Sequence, residues 1–245
     1  GVRACHECIT ADDVMAKLRM GMYVQARYGS AWLSLPNYLP QVLESGVDTR
    51  LIILCTDDNH PNTLVNEGGM DRALRAVLEC GCDPVTALQF ATINAAQCLG
   101  VDQDMGSITP GKCADMVILP NLETFIPEQV YIDGDLVAQD GKPTFDHDLF
   151  EWPEFMTHTM NVGRTFTAAD FEIPVDRPDG MCRVRAIGGV GGSTITEDAV
   201  IEVPVVDGKL QANPAIDALK MAVFDRHHGA EGTHSFGFCT GFGVH

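Results

Sequence analysis

Two strand-like apolar runs in this chain close with polar pairs, His6-Glu7 at the end of Val2 to Glu7 and Asp57-Asp58 after Leu51 to Thr56. In parallel α/β sheets the chemistry is assembled at the C-terminal ends of the strands, so residues in that position are the first candidates for a site. A neutral imidazole and a carboxylate are ligands through which a divalent ion acidifies water near neutral pH, and a carboxylate at a strand end can also accept that water's proton. His6 and Asp57 suit these roles, with Glu7 and Asp58 beside them to orient water, ligand or substrate. As residue types alone they leave other readings open: a strand-terminal Asp often caps the following helix, and a lone His is often a hydrogen-bonded structural residue. Arg27 and Ser30 follow another strand at the same end, where substrate contact and ordinary loop chemistry are both available to them.

Other polar features carry weaker expectations. Cys5 and Cys8 flank His6-Glu7, and Cys80 lies close to Cys82, but neither pair has a partner pair at zinc-finger spacing. The Gly188 to Gly192 cluster lacks the Gly-Lys-Ser/Thr of a phosphate loop and reads as a flexible turn. Tyr23, Tyr28 and Trp32 read as core aromatics, and His227-His228 before Gly229 as a structural feature or the wall of a site.

The elements that must position these groups alternate in type. Thr10-Ala-Asp-Asp opens a helix carrying Val14, Met15, Leu18 and Met20. Met22 to Arg27 reads as a second strand, and Tyr38 to Leu43 as the helix behind it. Leu51 to Thr56 is an uninterrupted apolar run, the pattern of a strand buried on both faces of a parallel sheet. Helices are expected at Met70 to Glu79 and Pro84 to Leu99, the second with Asp83-Pro84 as N-cap and first residue. Strands alternating with helices give βα units and a parallel sheet. Beyond Gly100 the pattern shortens to strands at Asp115 to Leu119, Gln129 to Ile132 and Leu136 to Ala138, the last two joined by the hairpin turn Asp133-Gly134. From about Phe145 the composition becomes irregular and a separate domain is expected.

The 245 residues carry 16 Lys+Arg against 34 Asp+Glu, a net charge of −18, which would repel a phosphate backbone or an anionic membrane surface. Nucleic acid and membrane are therefore not expected as partners. Nine cysteines scattered through apolar runs, without the dense framework of a small secreted domain, fit a reducing cytoplasm. The chain begins without Met and ends on Gly-Phe-Gly-Val-His, so removed ends or a piece of a longer product are expected.

Five segments together resemble one family. Cys5-His6-Glu7-Cys8-Ile9-Thr10 with Ala16 to Met22 resembles the sixth-strand segment of bacterial adenine deaminases of the amidohydrolase superfamily, and Leu54-Cys55-Thr56-Asp57-Asp58 with His60-Pro61 resembles their eighth. Asp83 to Leu88 leading into Ala91 to Ala96 is similar to the helix after the barrel, and Gly106-Ser107-Ile108 through Gly111 to Asp115 to the return into a small β domain. Asp225-Arg226-His227-His228-Gly229 and Gly237-Phe238 to Gly243 resemble the extra C-terminal domain of that family. The likeness is weakest from Asp146 to Arg177.

The resemblance implies an α/β fold: part of a TIM-like (β/α) barrel over 1–100, a small β-sandwich domain over 101–145, and part of an α+β C-terminal domain over 146–245. It implies hydrolytic deamination of adenine to hypoxanthine in purine salvage, by a cytoplasmic homo-oligomer. His6 and Asp57 would be metal ligands, Asp57 and Glu7 catalytic, and Asp58, Arg27 and Ser30 substrate-binding. The ion would be Mn²⁺ or Fe²⁺, and Zn²⁺ also suits His and carboxylate ligands. Two departures stand out: the family usually has Asp where this chain has Cys5, and its first-strand His-x-His pair occurs nowhere here. Activity is therefore expected to need a further N-terminal barrel segment. A different amidohydrolase acting on a cyclic amide or N-acetyl substrate, and a non-catalytic assembly role, are the competing expectations.

Overall fold

The computed structural model describes residues 1–146, 151–191, 194–229 and 232–243, which form two compact units, 1–147 and 148–245. In the first unit three strands lie in one parallel sheet in chain order: β1 (Ala4–Cys5), β2 (Tyr23–Arg27) and β3 (Ile52–Cys55). Their register sets Cys5 beside Val24, Ala26 beside Leu54 and Arg27 beside Cys55, so all three C-terminal ends share one edge. Between them run α1 (Ala11–Arg19) and α2 (Leu35–Glu44), and after β3 come α3 (Pro61–Asn66), α4 (Met70–Glu79), α5 (Pro84–Ala91) and α6 (Ile93–Leu99). This is part of a (β/α) barrel, with βα units on one curled sheet.

Helical spacing decides what is buried. Val14 and Leu18 of α1, Leu35, Tyr38, Leu39 and Val42 of α2, and Ala73, Leu74 and Val77 of α4 form one core with Val24, Ala26, Ile52 and Leu54 of the sheet. α1 starts where Thr10 Oγ1 accepts the Asp13 N–H, the expected cap. α2 begins at Leu35, three residues before the expected start, because Pro36 fits the first turn, where its missing N–H has no partner to lose. α3 was not expected at all; His60 caps it, with Nδ1 accepting the Asn62 N–H, and Pro61 opens it.

The single helix expected from Pro84 to Leu99 is two helices broken at Thr92. There the Thr92 hydroxyl donates to the Leu88 carbonyl at 2.6 Å. Two tertiary contacts fix the break. Gly106 passes so close that a Cβ on it would lie 3.3 Å from Ile93 Cα and 2.6 Å from Ala96 Cβ, and buried Asn94 donates from Nδ2 to the Ile52 carbonyl at 2.9 Å. Tyr23, Tyr28 and Trp32 are only half-buried: Tyr28 packs against the core from its edge, while Tyr23 and Trp32 lie outside the core expected of them.

The remainder of the first unit is an antiparallel sheet of β4 (Met116–Ile118), β5 (Gln129–Ile132), β6 (Asp135–Gln139) and β7 (Lys142–Pro143). Asp133 and Gly134, at φ 51° and 87°, make the expected hairpin turn between β5 and β6. The β4–β5 connection sends Phe125 into the barrel-segment core, where it is 1% exposed.

In the second unit α7 (Glu154–Thr157) and a 3₁₀ turn precede β8 (Ile173–Pro174), β9 (Gly180–Gly189), β10 (Thr196–Val206), β11 (Lys209–Leu210), β12 (Leu219–Phe224) and β13 (His234–Thr240). They form one six-stranded sheet in the order β12-β13-β9-β10-β11-β8, antiparallel except where β13 runs parallel to β9. Its core is separate from the first and contains Cys182, Ala186, Val203, Val205, Leu210, Ala218 and Phe238. Gly188 and Gly189, expected in a flexible turn, instead pair with Glu197 and Thr196 as the end of β9. A side chain at Gly189 would meet the Gly241 carbonyl oxygen at 3.0 Å, so close backbone packing rather than mobility explains the glycine. Gly192, the last of that cluster, lies outside the described residues.

Candidate active site

Four side chains at the C-terminal edge of the parallel sheet form a continuous run of contacts. His6, one residue past β1, lies with Nε2 3.1 Å from Glu7 Oε1. Glu7 Oε2 lies 3.4 Å from Arg27 Nη1 at the end of β2, and the same nitrogen donates to Asp57 Oδ2 at 2.7 Å, two residues past β3. The sheet order puts β2 in the middle, so Arg27 stands between the residues contributed by its neighbours. Its side chain is 3% exposed, whereas those of His6 and Glu7 are 50% and 53% exposed.

The charges are mutually supporting. Burial would by itself pull the Arg27 pKa down, but the hydrogen bond to Asp57 and the charges of Glu7 and Asp57 raise it overall, so the guanidinium stays protonated. Burial also pushes the Cys55 thiol up to about 11, with the Asp57 charge adding to the shift. Cys8 is driven up to about 12, chiefly by burial and then by Cys5. Both thiols are therefore neutral at physiological pH, and the groups that face the edge as hard or borderline donors are the imidazole and the carboxylates.

The two loops that carry the site are clasped together. The Ser30 N–H donates to the Asp58 carbonyl at 2.7 Å, the Ala31 N–H to Asp58 Oδ2 at 2.5 Å, and the His60 N–H to Ser30 Oγ at 2.7 Å. Arg72 of α4 holds the same loop from behind: Nη1 donates to the Gly29 carbonyl at 2.7 Å, the guanidinium lies 4.5 Å from the Tyr28 ring centre, and Nε bonds Glu67. Arg72 was not among the expected site residues. Nothing local distinguishes it, because its partner loop lies 43 positions away in sequence.

Against this geometry the sequence comparisons are decisive. Residues 37–137 match the Amidohydrolase family, and residues 193–245 match the Adenine deaminase C-terminal domain. The adenine deaminase of Clostridium botulinum (strain 657 / Type Ba4) is 41% identical over 244 residues, covering 100% of this chain and 40% of that protein. The chain is similar to one part of adenine deaminases. The adenine deaminase of Paracoccus denitrificans (strain Pd 1222) is 39% identical over 244 residues, covering 99% of this chain and 40% of the relative. The chain thus spans about 40% of the length of the relatives it matches. An amidohydrolase of Thermotoga maritima superposes with a TM-score of 0.43 at 24% identity, over 56% of this chain and 37% of that one, a likeness too slight to carry weight beside the sequence match.

Within the first unit, His6, Glu7, Arg27 and Asp57 are brought into one run of contacts, and Ser30 and Asp58 into the clasp beside it. Among the described residues no three of His, Cys, Asp and Glu converge as a metal cage. His6 and Asp57 fit the chemistry of a divalent site as two of its ligands. They do not complete one, and one oxygen of Asp57 is already engaged by Arg27. His227 and His228 lie in the second unit, where the Asp225 carboxylate accepts the backbone N–H of both and bonds His228 Nδ1 at 2.5 Å.

Proposed function

We propose that the protein to which this chain belongs is a metal-dependent enzyme of purine salvage that hydrolyses adenine to hypoxanthine and ammonia. The observation that carries the proposal is the imidazole, carboxylate, guanidinium and carboxylate series of His6, Glu7, Arg27 and Asp57 at the C-terminal edge of three parallel strands, in a chain about 40% identical along its whole length to proteins named adenine deaminase.

His6 and Asp57 would hold the ion, with Mn²⁺ or Fe²⁺ as the proposed metal and Zn²⁺ compatible with the same donors. When bound, such a cation makes water acidic enough to act as a nucleophile near neutral pH. The Asp57 carboxylate takes the proton released as the C6–O bond forms, and delivers it to the exocyclic nitrogen as the C6–N bond breaks, so that ammonia leaves and one water is consumed. Glu7, beside His6, orients the imidazole and the attacking water. Ser30 and Asp58 border the substrate side, with buried Arg27 behind them, and the clasp between the Ser30 and Asp58 loops keeps that side in a fixed place. The remaining ligands come from a further N-terminal barrel segment, and the 245-residue chain alone is expected not to turn over adenine. A cytoplasmic setting agrees with nine cysteines that are all free, and a homo-oligomer is the proposed assembly. Among the described residues no helix is long and apolar enough to cross a membrane.

Asp57→Asn in the full-length protein is expected to lower adenine turnover by at least about 10²-fold while the protein stays folded by circular dichroism, with a lowered melting midpoint because buried Arg27 loses its charged partner; turnover within a factor of two of wild type would remove the proton-transfer role. His6→Ala is expected to lower bound manganese, read by elemental analysis of the purified protein, and unchanged occupancy would strike His6 from the ligands.

A further inference from the structure

Arg27 is an unusual group to find inside a core. Its side chain is 3% exposed, and its Nε and Nη2 are buried without any hydrogen-bond partner. An arginine retained only for stability would use those donors, because burying a guanidinium is unfavourable unless its N–H groups are satisfied. What this one does hold, it holds through Nη1 alone: Asp57 Oδ2 at 2.7 Å and Glu7 Oε2 at 3.4 Å. Asp57 lies in a turn with a left-handed backbone at φ 58°, a conformation that Asp tolerates and that Asp133, Asp140, Asp207 and Asp217 also adopt. The turn fixes the Asp57 backbone, and Arg27 fixes the other end of the side chain, its carboxylate.

We infer that Arg27 is a positioning residue, which sets the Asp57 carboxylate in the orientation from which it exchanges protons and holds Glu7 on the same edge, and which acts on the purine only through Asp57. Direct contact with substrate is disfavoured because the side chain is closed off and its one engaged nitrogen is committed to two carboxylates. The inference rests on the deaminase reading above and deepens it.

The test compares Arg27→Met and Arg27→Lys in the full-length protein, with Asp57→Asn in parallel. Arg27→Met is expected to lower kcat for adenine about 30-fold or more with KM changed less than about threefold, and Arg27→Lys, which keeps one charged donor, to lie within about fivefold of wild-type kcat. A crystal structure of Arg27→Met is expected to show the Asp57 carboxylate displaced from its wild-type position. KM rising while kcat holds would overturn the inference in favour of direct purine contact. An unmoved Asp57 would overturn it as well, as would a Lys variant no better than Met with melting midpoints equally lowered in both. If Arg27→Met does not fold, the kcat and KM of Arg27→Lys decide alone: a raised KM at unchanged kcat sinks the positioning role. Full activity in Asp57→Asn would instead remove the deaminase mechanism itself, whereas an inactive Asp57→Asn beside a normal Arg27→Met would remove only the role of Arg27.

Discussion

At Gly29 an added Cβ would fall 1.8 Å from Asp58 Oδ1 and 2.6 Å from the Thr56 carbonyl oxygen, distances at which something must move. The carboxylate cannot move freely, because Asp58 Oδ2 accepts the Ala31 and Trp32 N–H groups. Gly29→Ala should therefore destabilise the first unit by about 1–3 kcal/mol, the range for forcing extra volume into a packed site, and should loosen the clasp between the two site loops. Chemical denaturation would measure the loss, and a stability equal to wild type would mean that the clasp is dispensable. The same reasoning separates what residue types reveal from what they hide. His6 and Asp57 were visible as candidates because a strand end can be read from the apolar run before it. The functions of Asp58 and Ser30 as loop fasteners were not visible, because their partners lie 27 and 30 positions away and only the fold brings them within reach.

Among the elements, α5 is the one whose start is most strongly specified. Asp83 accepts from the Val85 N–H at 3.2 Å, the Thr86 N–H at 3.0 Å and the Thr86 hydroxyl at 2.6 Å, and these bonds, the Thr86 hydroxyl first, hold its pKa below the ordinary value. A carboxylate depressed in the folded state stabilises it above the unfolded pKa near 4, and that contribution disappears as pH falls through the folded value. Asp83→Ala should accordingly lower the melting midpoint at pH 7, with the gap from wild type narrowing below about pH 4. A gap that is the same at pH 7 and pH 3 would show that the charge is not what caps the helix. The start of α5 was legible because capping is local chemistry between residues three apart. Its end was not, since Thr92 stops the helix where Gly106 and Asn94 demand room and a hydrogen bond from elsewhere in the chain.

At the scale of the whole chain, each unit contains its own core, with Leu39 completely buried in the first and Val203 completely buried in the second. Leu39→Ala should cost about 2–5 kcal/mol and shift the unfolding of the first unit alone, and Val203→Ala should shift that of the second alone. Scanning calorimetry of the two variants would test this, and a single transition moved by either substitution would show one cooperative unit. The second unit also marks the limit of pattern reading. In its long strands β9 and β10 the alternation is clear at Arg183-Val184-Arg185 but is blurred where apolar residues such as Ile187 and Val200 take exposed positions, and the glycines and prolines in and beside these strands read as irregular chain.

What the sequence settled by itself was the alternation of strand and helix over its first hundred residues, the hairpin at Asp133-Gly134, the caps at Thr10 and Asp83, and the presence of an imidazole and acids at strand ends. Each depends on side chains within a few positions of one another, where steric and hydrogen-bonding preferences act directly. Only the tertiary structure decided that β2 lies between β1 and β3, and hence that a buried arginine joins Glu7 to Asp57. That arrangement depends on which strands pair, and strand order follows from burying the helices of the first unit against one sheet, a property of the assembled core rather than of any segment in it.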